Sequence, residues 1–282
     1  SHMKPLAILW LAALVSTGVL LFIIGYITRR GAGALSWDFL FGPASQVGIE
    51  GEGSISASIV ATLMLLGTAM IIVVPLGLGA AVYLAEYAPD NRLTAVIRRG
   101  MELLGGVPSI VFGLFGFAVL ILTLGFSHSV LAGALTMVCL LLPFMVISVE
   151  EAIRAVPQSH REAALALGAT KWQMVRMVVL PGALPGIVTG IVLCFGRAMA
   201  ESAPLLLTMG TYSYMPRWPL DPGRTLALEL WYRSMHTRAN PETVAGIALV
   251  LMFMLLSMNL VTNWIAGRMR ARLYGRTSAE TG

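Results

Sequence analysis

Charge is scarce in this 282-residue sequence, with Asp, Glu, Lys and Arg making up only 12% of it. A soluble domain carries about twice that share. With 57% hydrophobic residues and a mean hydropathy of +0.81, water cannot be the solvent for most of its surface. Lysine is nearly absent: Lys4 and Lys171 are the only two, and neither follows a glycine. A phosphate-cradling P-loop needs a Gly-Lys pair, so the chain cannot hydrolyse ATP through such a site. The two cysteines, Cys139 and Cys194, both fall in apolar runs and read as small buried hydrophobes, not as a disulfide or metal pair. Of the four histidines, His2 belongs to a Ser1-His2-Met3 stretch that reads as a cloning remnant, and His128, His160 and His236 lie in separate loops. No His-Glu-x-x-His, Gly-x-Ser-x-Gly or paired His-Cys set occurs. No catalytic residue, metal site or bound cofactor is therefore expected in this chain.

What the sequence has in abundance is long apolar runs. Six qualify as membrane spans by length, at about 20 residues each: 5–27, 55–86, 101–124, 129–149, 184–210 and 244–266. The first is too long for a signal-peptide core and lacks a small-residue cleavage pattern, so it reads as a retained span. The second is long enough to tilt or to continue beyond the bilayer. Pro75, Pro108, Pro143 and Pro204 lie within or at the start of spans; they mark either bundle kinks or backbone lining a cavity. The fold class expected is an all-α polytopic membrane protein of six transmembrane helices.

The net charge of +5 is better explained by arginines flanking the spans than by a nucleic-acid partner. Lys4, Arg92, Arg98, Arg99, Arg154, Arg161, Lys171, Arg176, Arg268, Arg270, Arg272 and Arg276 share one side. The other side has Arg29, Arg30, Arg217, Arg224, Arg233 and Arg238, interspersed with Asp38, Glu50, Glu52, Asp221, Glu229 and Glu242. Arg29 and Arg30 run against the bias and are outnumbered, so both termini are expected in the cytoplasm of a bacterial inner-membrane protein surrounded by lipid. The outer loops, 28–54 and 211–243, are rich in Gly, Pro and Trp; residues 225–236 read as a short interfacial helix with Trp231 and Tyr232 as anchors. The expected organisation is the remnant 1–3, a first span and outer loop 4–54, a core 55–270 containing a cytoplasmic loop 150–185, and a tail 271–282.

That cytoplasmic loop is the most informative segment. Pro157 suits a first helical turn, and Ser159 with Glu162 three residues on fits a capping box. Ala163, Ala164, Leu165, Ala166 and Leu167 continue the helix, and Gly168 suits its end. A second amphipathic segment, 172–179, stops at Leu180-Pro181. Small side chains let another protein approach closely, although a plain helical connector would read the same. Glu162-Ala163-Ala164, then Gly168, then Pro181, resembles the Glu-Ala-Ala loop of binding-protein-dependent ABC importer permeases. The resemblance implies that Glu162, Ala163, Ala164, Leu165, Gly168 and Ala169 form a coupling helix docking into a cytoplasmic ATPase.

Span five carries a charge where the bilayer tolerates few. Arg197 lies thirteen residues beyond Leu184, roughly 20 Å of helix rise, which places it near mid-bilayer. An arginine there costs about 2.5–3.5 kcal/mol on insertion scales and should face the bundle interior. Glu201 is one turn further on the same face. Two readings stand: an internal ion pair that holds helices together, or an anion site in which the guanidinium forks onto oxyanion oxygens. In the second, Glu201 would accept a hydrogen bond from a protonated phosphate oxygen, disfavouring fully ionised sulfate. Ser202 and Thr208 would add hydroxyls, or Thr208 would bond back to its own helix.

Gly196-Arg197-Ala198-Met199-Ala200-Glu201-Ser202-Ala203-Pro204-Leu205-Leu206 resembles the fifth-span motif of the A-type permeases of phosphate-specific importers. Pro108-Ser109-Ile110-Val111-Phe112-Gly113-Leu114 and Glu150-Glu151-Ala152 before Val156-Pro157 are also similar to that family, over about residues 50–270. The family's usual Gly-Gly-Ile opening of span two is here Gly53-Ser54-Ile55, with Ala57 and Ala61 where proline and glycine are usual. The resemblance implies a type I importer permease fold and phosphate passage at Arg197 and Glu201. It also implies a homologous second permease, two ATPase subunits that bind the ATP, and a periplasmic phosphate-binding protein as partners. Rival readings are a permease for another oxyanion or an organic anion, a secondary transporter or channel driven by ion gradients, and a signalling partner that senses phosphate.

Overall fold

A computed structural model describes residues 3–43, 53–212, 214–235 and 240–274. Among them there are helices and connections and no strands. Glu50, Glu52, His236, Arg238, Arg276 and the last eight residues lie outside the described residues.

Five helical stretches are long and apolar enough to cross a bilayer, or six when one sharply bent pair counts as a span. α1 (Met3–Gly31) packs along α12 (Pro241–Tyr274) and leaves Leu9 to Ile23 almost wholly uncovered, as lipid permits. A short helix, α2 (Trp37–Phe41), is capped by Ser36, whose Oγ accepts from Phe39 N at 3.1 Å. α3 (Ser56–Val82) passes through Pro75 and ends in a wide π turn, Tyr83–Tyr87. Ala88 turns extended ahead of Pro89, because the proline ring disfavours helical geometry in the residue before it.

The third expected span needs correction. Residues 92–123 form two helices, α4 (Arg92–Gly105) and α5 (Ser109–Gly116, continuing as a π turn Phe117–Thr123), bent by 103° at Gly106-Val107-Pro108. The two halves cannot both run along the bundle, so the expected span 101–124 is a broken one and not a single straight helix. Hydropathy missed the break because Met101, Leu103 and Leu104 extend the apolar run through a helix that lies across it.

α6 (Val130–Arg154) is the central helix, with α3 and α9 against it. Ser129 Oγ caps it by accepting from Ala132 N at 3.2 Å. A short helix, α7 (Gln158–Ala166), follows. The capping box expected from Ser159 and Glu162 is not formed: α7 begins at Pro157 without a side-chain cap. The box lies one helix later, where Thr170 Oγ1 accepts from Gln173 N at 3.3 Å and Gln173 Oε1 accepts from Thr170 N at 2.8 Å.

From that cap, α8 (Lys171–Met174), a π turn Val175–Val179 and α9 (Leu180–Ala200) make one continuous stretch. The segment 172–179 therefore does not stop at Leu180-Pro181. A proline clashes with the carbonyl four residues back, here Met177, and Met177 sits in the widened π turn that absorbs the conflict. The fifth span thus starts at Lys171 and breaks at Glu201-Ser202, before the short α10 (Ala203–Thr208). The helix expected over 225–236 exists as α11 (Leu226–Met235), but Leu226, Leu228 and Glu229 are buried against neighbouring helices. Tyr232 lies under Arg224, with 4.3 Å from guanidinium to ring, so it has a partner inside the protein.

Candidate functional site

The register of α9 against α6 fixes the depth of Arg197. Gly186 approaches Ala152, Gly190 approaches Ser148 and Cys194 Sγ meets Met145 Sδ at 3.7 Å, so the two helices run antiparallel. One turn on, the Arg197 guanidinium stands 5.6 Å from the centre of the Phe144 ring. Phe144 is 14 residues from Val130 and 10 from Arg154, roughly 21 Å and 15 Å from the two ends of α6. Arg197 is therefore at mid-bundle, although it stands in the last turn of its own helix.

The helix ends there because Glu201 is extended, with φ −76° and ψ 131°. The carbonyls of the last α9 turn then have no helical residue ahead of them to bond. Ser202 follows, and α10 resumes toward the far end of the bundle beside α5 and α6. Gly113 makes this approach possible: a Cβ there would lie 2.7 Å from Pro204 Cα. The break thus sets a charged pair and irregular backbone at one level inside the bundle, as in discontinuous helices that line transport sites.

Arg197 Nε and Glu201 Oε1 are 3.7 Å apart, an ion pair without a hydrogen bond, with the side chains 34% and 17% exposed. The guanidinium is thus held near an acid and a ring, and is partly exposed. Ser202 is half-buried beside them. Thr208 is not part of this group: it is buried and its Oγ1 donates to Pro204 O at 3.0 Å, so its proton is used within α10.

At the Arg154 end of the bundle, α7 stands out with no buried residue. Glu162, Ala163, Leu165 and Gly168 are exposed, and Ala164 and Ala169 are half-buried. Leu167 is 89% exposed. Gly168 ends the helix at φ +83°, a conformation that suits glycine, while its N–H donates to Leu165 O and Ala169 N donates to Ala164 O. The expected docking residues therefore share one protruding turn, far along the bundle from Arg197.

This arrangement, with a protruding helix at one end and a broken charged helix in the middle, matches a known family. The description "binding-protein-dependent transport system inner membrane component" fits residues 73–273. The chain belongs to this family. The permease is 35% identical over 274 residues to a probable ABC transporter permease protein, YqgI, of Bacillus subtilis, covering 90% of this chain and 91% of that one. It is 40% identical over 218 residues to the phosphate transport system permease protein PstA 1 of Mycobacterium tuberculosis, covering 76% and 70% respectively. Among solved structures, a bacterial alginate ABC transporter in complex with a pentasaccharide-bound periplasmic protein matches at TM-score 0.67 and 15% identity, over 93% of this chain and 95% of that one. The inward-facing MetNI methionine ABC transporter matches at TM-score 0.60 and 20% identity, over 76% and 94%. These likenesses establish the type I importer permease fold.

Sequence reasoning missed two ionic clusters of this permease. At the α7 end, buried Glu150 receives Arg98 Nε at 2.8 Å and Arg154 Nε at 3.0 Å, and Arg98 Nη2 also donates to Leu84 O at 2.7 Å. At the opposite end, buried Glu229 pairs with Arg224 and with Arg233 Nε at 2.5 Å, and accepts from Ser58 Oγ at 3.3 Å. The available signal was that Glu150 and Glu229 stand beside apolar runs in a charge-poor chain. An acid so placed needs a partner, and the arginines that mark topology also supply it.

Proposed function

We propose that this permease imports inorganic phosphate, with Arg197, Glu201 and Ser202 at the passage site. The observation that carries the reading is the Arg197–Glu201 pair at a mid-bundle helix break, held too far apart to hydrogen-bond each other. Arg197 offers a planar fork to two phosphate oxygens. Glu201 accepts from the oxygen that still carries a proton, and Ser202 donates its hydroxyl. A fully ionised oxyanion has no proton for Glu201 and is repelled. The relatives that are 40% identical and named as phosphate transport permeases support the same substrate.

The chain works beside a homologous second permease, two ATPase subunits that bind and hydrolyse ATP, and a phosphate-binding protein outside the membrane. Both termini and α7 face the cytoplasm, where Glu162, Ala163, Ala164, Leu165, Gly168 and Ala169 dock the ATPase. ATP-driven closure of that dimer moves α7, and the spans rock about Arg197. Binding there is weak, because a pathway residue must also release its ligand.

The test is uptake of labelled phosphate by vesicles reconstituted with the full set of subunits. ATP-dependent uptake that excess unlabelled phosphate abolishes, and equal sulfate leaves largely intact, is expected. Equal competition by sulfate would replace phosphate with a general oxyanion. Uptake without ATP would indicate a gradient-driven carrier.

A further inference from the structure

α7 is tied to the bundle in two unequal ways. Its link to α6 is covalent and short, through Ala155-Val156-Pro157. Among the described residues, its polar link to the turn that ends α3, 75 residues earlier in the chain, runs through one side chain. Arg161 Nε and Nη2 donate to Glu86 Oε1 at 3.0 and 2.9 Å. Glu86 lies in the π turn that ends α3. The same guanidinium donates to Val156 O at 2.5 Å through Nη1 and to Ile153 O at 2.8 Å through Nη2. Arg161 and Glu86 are only 11% and 6% exposed, so water competes weakly for these bonds. Elsewhere α7 packs on residues 171–179. A lesser neighbouring tie is Lys171 Nζ, from α8, 5.0 Å from the Tyr87 ring.

We infer that Arg161 and Glu86 form the tie that makes α3 follow α7, so that movement of the docking helix reaches two spans and not one. Arg161 is a positioning residue: it touches neither ATP nor phosphate, and it stands next to the exposed Glu162 turn while facing inward. The π turn suits this role. It breaks the regular ladder at the end of α3 and aims Glu86 toward α7. A lysine cannot replace the guanidinium fully, because one ammonium cannot reach the carboxylate and both carbonyls in the same geometry.

This inference rests on the importer reading above, and two readouts separate them. In reconstituted complexes, ATP hydrolysis and phosphate uptake are measured together for wild type, Glu86→Gln, Arg161→Lys and Arg161→Gln. Glu86→Gln should retain the ATPase subunit and its hydrolysis while phosphate moved per ATP falls on the order of tenfold, within the usual range of coupling between sites. Arg161→Lys should fall between wild type and Arg161→Gln. Combining Glu86→Gln with Arg161→Gln should cost no more than the worse single change. Unchanged phosphate per ATP overturns the inference. So does loss of hydrolysis and uptake in strict proportion with loss of the ATPase subunit, which would mark a purely structural pair. The second readout needs no phosphate: with the exposed Cys139 replaced by serine, spin labels at His160→Cys and Leu76→Cys report the α7–α3 separation, both positions being exposed. ATP should leave that separation unchanged in wild type and alter it with Glu86→Gln. An identical response in both overturns the tie, even if wild type moves no phosphate and the substrate reading fails.

Discussion

Replacing Arg197 by glutamine should separate what the residue does for transport from what it does for stability. Its contacts within the chain are weak. The Glu201 carboxylate at 3.7 Å is beyond hydrogen-bond reach and both side chains are partly exposed, so the pair stabilises by about 1 kcal/mol or less. The Phe144 ring at 5.6 Å adds roughly 0.5–1 kcal/mol. Loss of both should lower the melting temperature of the purified complex by only a few degrees. A hydrogen bond to a charged partner contributes about 1.5–3 kcal/mol, and a forked guanidinium makes two. Removing them from a passing phosphate should slow uptake at limiting phosphate by at least about a hundredfold, at 1.4 kcal/mol per decade. Arg197→Lys keeps the charge but not the fork, and should lose roughly tenfold. The assay is the initial rate of labelled phosphate uptake in reconstituted vesicles, paired with thermal unfolding of the same preparations. Uptake within threefold of wild type in Arg197→Gln would refute the anion-site reasoning. So would a rate loss matched by an equal loss of folded complex in both variants.

Other substitutions test the surrounding geometry. Gly113→Ala would put a Cβ 2.7 Å from Pro204 Cα, so α5 and α10 must separate; about 1–3 kcal/mol of stability and a larger share of uptake should go, seen by melting and transport together. Gly168→Ala forces an alanine to φ +83°, at about 1–2 kcal/mol, and should weaken ATPase co-purification while lowering the bundle's melting temperature by only a few degrees. Glu229→Gln leaves two arginines around a neutral group and should destabilise by about 3–5 kcal/mol in thermal unfolding. Asp221 Oδ2 accepts from the backbone N–H of Arg217 and Trp218, which holds its carboxyl below its ordinary range. Its loop supplies Asp221 O and Pro219 O to the first N–H groups of α6. A lowered carboxylate stabilises fully above its unfolded pKa of about 3.9 and loses that effect as pH falls through the folded value. The melting difference between wild type and Asp221→Ala should therefore persist from neutral pH down to about pH 4 and shrink only below it.

Much of the fold was legible because the bilayer restricts what apolar runs can do. Residues 55–86 and 129–149 predict α3 with its π turn and α6, and the helices end within a few residues of those limits. The errors share one cause. Composition reports which segments avoid water, but it does not report direction. Met101, Leu103 and Leu104 join the apolar run of Ser109 to Thr123 in the string, and the Gly106-Val107-Pro108 hinge turns one away from the other. Thr170 and Gln173 carry the capping-box pattern, but taking Pro181 as a stop hides the start of the fifth span.

The Arg197 region shows the opposite case, in which a misplaced boundary still leaves Arg197 at the middle of the bundle, beside Phe144 of α6. Counting from Leu184 puts Arg197 near mid-bilayer, whereas the helix that carries it begins at Lys171. The depth stands because the first turns of that helix pack with α7 at the end of the bundle, and because the helix stops one residue before Glu201. No hydropathy pattern marks that stop: Ala198 to Leu206 contains one acid, one serine and one proline in an apolar string. Two physical conditions account for it. An unbroken helix would carry Glu201 one turn above Arg197 on the same face, where a closed i,i+4 pair would satisfy both. An extended Glu201 instead leaves them 3.7 Å apart, with hydrogen-bonding capacity unspent. Pro204, which has no N–H to donate and whose ring would clash with the carbonyl four residues back, that of Ala200, removes the return path to a continuous helix. The break and the unsatisfied pair are thus one feature. A substitution that straightened the helix, such as Pro204→Ala, should close the Arg197–Glu201 pair and reduce phosphate uptake even though both charges remain. Unaltered uptake in that variant, with a continuous helix across residues 201–203, would show that the open pair is incidental to transport.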